Sequence, residues 1–134
     1  MKKTNLLLVA FMLIIVAACN KDQKVVKQLD GTWKVSSIVV DGTPEPASSF
    51  DDDTYTFNSC KVKKDDCDGT ITTDGMSIPF TYNVSEKGKK FSMTMNFFGF
   101  SFSQTGDILE HSKDKFVFLF IEDGERTETT LVKK

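Results

Sequence analysis

A chain of 134 residues, 40% hydrophobic and 27% charged, is one domain's worth of sequence. Its 17 basic and 19 acidic side chains give a formal net charge of −2 at pH 7, without the basic footprint that nucleic-acid binding needs. No nucleophile elbow, phosphate-cradling glycine loop or zinc-binding helix occurs in it, and an enzyme is not expected.

Lys2 and Lys3 precede an apolar run from Leu6 to Ala18. A charged start, a short apolar stretch and small residues before the break describe a secretory signal. The run is too short to span a bilayer as a helix, which takes ~20 apolar residues. Val16-Ala17-Ala18-Cys19 resembles the bacterial lipobox, so Cys19 is expected to become the acylated first residue of the mature protein, palmitate being one of its chains. Each buried methylene of such a chain is worth ~0.8 kcal/mol, enough in a multiply acylated cysteine to hold the protein on a membrane. Without Lys2 and Lys3, 15 basic side chains face 19 acidic ones. The expected division is a signal peptide over 1–18, a tether and short helical lead-in over 19–29, and one β domain over 30–134. Within the lead-in, Val25, Val26 and Leu29 are spaced like one face of a helix.

The β domain opens with Asp30-Gly31-Thr32-Trp33, which carries the only tryptophan. Asp-Gly turn pairs recur at Asp41-Gly42, Asp68-Gly69, Asp74-Gly75 and Asp123-Gly124. Between the turns lie runs of strand character: Thr32–Asp41, Thr54–Cys60, Cys67–Thr73, Ile78–Val84, Lys89–Phe97, Phe100–His111, Lys115–Ile121 and Glu125–Lys133. Phe91, Met93, Met95 and Phe97 alternate with Ser92, Thr94 and Asn96, as one buried and one wet face would. Gly106 is read as a bulge. Eight sequential strands joined by short turns predict an all-β fold, an antiparallel up-and-down barrel whose closure removes both edges.

Cys60 and Cys67 flank a polar loop and form an even pair in an oxidising compartment, so a disulfide is expected. A zinc site would need about four ligands, and the chain offers one distant histidine, His111. His111 is read as a surface or structural residue. Asp51-Asp52-Asp53 and Asp65, Asp66 and Asp68 lack EF-hand spacing and read as solvated loops. No metal and no cofactor are expected.

A secreted chain with a helical lead-in to Gly31-Thr32-Trp33, at the head of the first of eight strands, resembles a lipocalin. More narrowly it resembles the small lipocalin-like lipoproteins of Bacteroidota, through most of Leu29 to Lys134. That resemblance implies a cell-envelope protein, lipid-anchored on the outer membrane. Lys21-Asp22, followed by Gln23, matches the acidic export signal of surface lipoproteins only in part, and the leaflet stays open. The family packs an arginine from the end of its last strand across the tryptophan. Here the sole arginine, Arg126, begins that strand, so Lys133 is expected beside Trp33 at the barrel floor, its stem covering the ring.

The long connection 42–53, with Pro44, Pro46 and Phe50, falls at the opposite end and suits a lid, a binding loop or a linker. Two functions are open. The barrel could bind a small apolar or amphipathic molecule at its open end, through Phe50, Phe80, Tyr82, Met93, Met95, Phe97, Phe98, Phe100 and Phe102. Or the bulky inward side chains Phe80, Tyr82, Phe91, Met93, Met95, Phe102 and Phe118 could fill the interior and leave a structural or protein-interaction lipoprotein. The first is preferred. Phe97 is expected to point inward with Met95, and the rim to carry Phe50 and Phe98 among Asp51, Asp74, Asp123 and Arg126.

Overall fold

The computed structural model describes residues 21–62 and 66–134. The signal segment, the lipobox and Cys19 lie outside the described residues. Residues 21–29 form a helix, α1, followed by β1 (Gly31–Val40), β2 (Thr43–Pro44), β3 (Thr54–Phe57), β4 (Cys67–Thr73), β5 (Met76–Ser85), β6 (Lys90–Phe97), β7 (Phe100–His111), β8 (Lys115–Glu122) and β9 (Glu125–Lys133). Neighbouring strands pair antiparallel in the order β2-β1-β3-β4-β5-β6-β7-β8-β9, and β1 also pairs with β9. Eight strands therefore close into an up-and-down barrel, and the two-residue β2 is an addition on the upper half of β1.

The tight turns work because their residues accept positive φ: Asp41-Gly42, Asp74-Gly75, Phe98-Gly99 and Asp123-Gly124 all adopt it. The alternation continues into a core of Trp33, Phe57, Tyr82, Phe91, Phe116 and Leu131, each no more than 1% exposed. Phe57 is its hub, with ring centroids of Tyr82, Phe80 and Phe91 at 5.1, 5.6 and 6.2 Å. Gly69 makes room for this stack, because a Cβ there would collide with the Phe80 ring and the Thr56 carbonyl.

α1 closes the floor. Its apolar face, Val25, Val26 and Leu29, joins the core cluster. Its polar residues are tied to three floor loops. Gln23 donates to Cys60 O at 2.8 Å and accepts from Val62 N at 3.2 Å. Asp22 accepts from Gly88 N at 2.6 Å, and Gln28 meets His111 Nδ1 at 2.8 Å. Trp33 Nε1 donates to Leu29 O at 2.7 Å, satisfying the indole where no water reaches it. Cys60 and Cys67 are bonded, their Cα atoms 5.3 Å apart.

Two expectations change. Gly106 is not a bulge: it pairs regularly with Phe91, and the register slips three residues later, between Ile108 and Glu110. It is glycine because a Cβ would collide with the Leu119 carbonyl and the Phe120 ring, a close approach of backbones. The connection 42–53 is pinned rather than free. Glu45 N donates to Ile38 O at 2.8 Å and Val35 N to Asp53 O at 3.1 Å, so the segment runs back along β1.

Candidate ligand site at the barrel mouth

The lower half of the barrel is solid and the upper half is hollow. Above the Phe57 stack a pit of about 290 Å³ is lined by Ile38, Tyr55, Ile71, Met93, Met95, Phe118 and Phe120. Gln104, Glu122, Glu125, Thr127 and Thr129 complete its wall. Strand alternation explains most of the set: Phe118, Phe120 and Glu122 share one face of β8, and Glu125, Thr127 and Thr129 one face of β9. Ile38 needs a further device. Trp33 and Val35 face the core, and strict alternation would send Ser37 and Val39 there next. A register shift between Val35 and Ser37 inserts one residue, and Ile38 turns in instead.

Met93 and Met95 line the pit, whereas Phe80 and Tyr82, at 3% and 1% exposure, are part of the packed half. Tyr82 Oη donates to Asn58 O at 3.0 Å, and burial raises the pKa of this phenol, with Asp30 and Asp68 adding to the effect. Burial also pushes the Tyr55 phenol up to about 12, helped by Asp53. Phe50 does not reach the rim. It is buried in the core cluster and lines a separate groove with Lys34, Ser36 and Val132, because the pinned loop carries it down β1.

Phe97, Phe98, Phe100 and Phe102 stand out at the mouth, 45%, 86%, 79% and 41% exposed, with the Phe97 and Phe98 rings edge to face at 4.3 Å. Phe97 shares its strand face with Met93 and Met95, as expected, but it lies beyond the rim and is not enclosed. The β6–β7 hairpin projects because both neighbours let go of it. The β5–β6 ladder ends at Phe80 and Met95, where the next β5 residue, Pro79, has no N–H to extend it. The β7–β8 ladder ends at Asp107 and Leu119, beside Gly106. Met95 pairs with Phe102 and Phe97 with Phe100, so the hairpin carries the apolar face of the pit upward.

Charge divides along the barrel axis. The mouth turns carry Asp41, Asp74 and Asp123, and the pit carries Glu122 and Glu125. At the floor, Lys24, Lys27, Lys113 and Lys133 border an open groove of about 660 Å³ with Gln23, Gln28 and Asp30. Among the described residues no group of three or more His, Cys, Asp or Glu side chains could hold a metal ion. Glu122 and Glu125 are pit residues outside the expected set; the sequence signal for them is their alternation with Phe118, Phe120 and Thr127.

The model of a family described as Lipocalin-like domain matches residues 29–118. None of the curated proteins matches the chain. Among solved structures, it is similar to a redesigned beta barrel, b11L5F_LGL, at 18% identity and a TM-score of 0.54, over 82% of this chain and 95% of the other. It is also similar to a redesigned beta barrel, mFAP1, bound to DFHBI, at 18% identity and a TM-score of 0.51, over 81% and 98% of the two chains. At that identity the likeness speaks for the fold.

Proposed function

The chain belongs to the lipocalin-like domain family, and from that premise we propose that it is a membrane-anchored lipoprotein whose open barrel end binds one small apolar or amphipathic molecule. The observation that carries the reading is the pit of about 290 Å³ walled by methionine and aromatic side chains. Its volume lies at the lower end of small-molecule sites, so the guest is small, and the projecting phenylalanines extend the apolar contact beyond the rim. The wild-type protein should take up the neutral dye Nile red with saturable, blue-shifted emission. Met93→Trp, which narrows the pit, should weaken that signal.

Anchoring rests on Val16-Ala17-Ala18-Cys19. The floor lysines support it: they lie at the end from which the tether leaves, where an anionic lipid surface attracts them. One observation favours the other reading, a lipoprotein that acts through its surface. The four phenylalanines of the β6–β7 hairpin would suit a protein contact. Failure of the wild-type protein to bind Nile red at any concentration decides for it.

A further inference from the structure

Resting on the reading of the pit as a ligand site, we propose that its ligand is a cationic amphiphile: an apolar body bearing an amine or quaternary ammonium at the mouth. The wall itself makes the selection. Glu122 and Glu125, both exposed, are the last pair of the β8–β9 ladder, directly opposite each other, and both line the rim of the pit. Like charges facing across a ladder repel and destabilise it, and a bound cation between them would remove that cost.

Nothing cationic in the wall does so already. No lysine, arginine or histidine lines the pit. Arg126, between Glu125 and Thr127, falls on the other strand face, is exposed, and gives its backbone N–H to Asp41 Oδ1 at 2.9 Å. The ion pairs among the described residues, Lys90–Asp107 and Lys115–Glu110, lie away from the mouth. Gln104 donates to Glu122 Oε2 at 2.9 Å, which orients that carboxylate without neutralising it.

The second half of the argument is aromatic. Of the rings that line this space, Phe120 lies one step below the Glu122–Glu125 pair, where it can attract a desolvated ammonium, and Tyr55 and Phe118 take the apolar body. An anionic guest such as a fatty acid would meet two carboxylates and no compensating donor of full charge. Body and head group are thus recognised by different parts of one wall.

The test uses three guests with one apolar body, decylammonium, decanol and decanoate, each displacing Nile red from the protein at pH 7 and low salt, below micelle formation. Decylammonium should bind about tenfold tighter than decanol, with decanoate weakest, the size expected from two partly solvated ion pairs plus ring contacts. The preference should shrink in 0.5 M NaCl. It should vanish in Glu122→Gln/Glu125→Gln, whose decanol affinity stays at the parent value and whose melting temperature rises, because the facing like charges are gone. Decanoate binding as well as or better than decylammonium, while decanol binds, overturns the charge selection and leaves the ligand site standing. If none of the three binds, both readings fall together.

Discussion

Lys133 Nζ lies 4.7 Å over the centre of the Trp33 ring and donates to the carbonyl of Asp30. The pair joins the last strand to the first, in direct register, at the place where α1 enters the barrel. Gly31 makes it possible: its φ of +116° and missing Cβ leave room for the lysine head, which a Cβ would approach to 2.9 Å.

Two substitutions separate the parts of this contact. Trp33→Ala removes a fully buried indole and its bond to Leu29, and should cost on the order of 3–5 kcal/mol in urea unfolding. Lys133→Met keeps an apolar stem over the ring and loses the ammonium with its hydrogen bond to the Asp30 carbonyl, so about 1–2 kcal/mol is expected. A Lys133→Met protein as stable as the parent would show that the ammonium adds nothing.

Cys19→Ser should move the protein from the membrane to the soluble fraction with the barrel still folded. Val16-Ala17-Ala18-Cys19 motivates this expectation. A substituted protein that still sediments with membranes would refute it.

Reduction of the Cys60–Cys67 bond should lower stability by roughly 2.5 kcal/mol on the chain-entropy model, because the closed loop is short. The barrel should survive, since the bond links a loop to the start of β4 and crosses no part of the sheet seam. Thiol titration of the unfolded, non-reduced protein should find neither cysteine free.

Phe98→Ser and Phe100→Ser remove side chains that are 86% and 79% exposed, and stability should change by no more than about 0.5 kcal/mol. Nile red affinity should fall if the hairpin shields the guest. A loss of several kcal/mol would instead mean that the hairpin packs as core in solution.

Alkaline pH should weaken the fold through its buried phenols. Tyr55 is raised to about 12, and a tyrosine in the unfolded chain ionises near 10. Between those values the folded barrel holds a proton that the unfolded chain has released. Stability is therefore fully present below pH 10 and declines as pH rises from about 10 toward 12. Urea midpoints at pH 8, 10 and 11 check the trend, and Tyr55→Phe should reduce its slope, leaving the share of the Tyr82 phenol.

The barrel itself could be read from the sequence because its two local signals, alternation and Asp-Gly turns, coincide. The strands expected at Cys67–Thr73, Phe100–His111 and Glu125–Lys133 have those bounds in the structure. The disulfide followed from an even cysteine count around one polar loop. What resisted was everything decided across strands. Ser36 and Ser37 give no sign of the extra residue that turns Ile38 inward. Phe80 and Met93 look alike as inward apolar residues, yet one fills the stack and the other bounds the pit, since height along the axis depends on strand stagger. Phe50 leaves the rim because its loop is tied by backbone bonds to Ile38 and Val35, which no composition announces.

The β1–β9 ladder has a kinetic consequence. Every other barrel neighbour follows its partner directly along the chain, but Trp33 and Lys133 pair across about a hundred residues. Each doubling of a loop adds only ~0.6 kcal/mol to its closure, yet none of that entropy is recovered until the far contact forms. Hairpins such as β6–β7 can therefore zip on the microsecond scale, while the seam waits for the rest of the meander. The rate at which this protein folds is thereby set where its first and last strands meet.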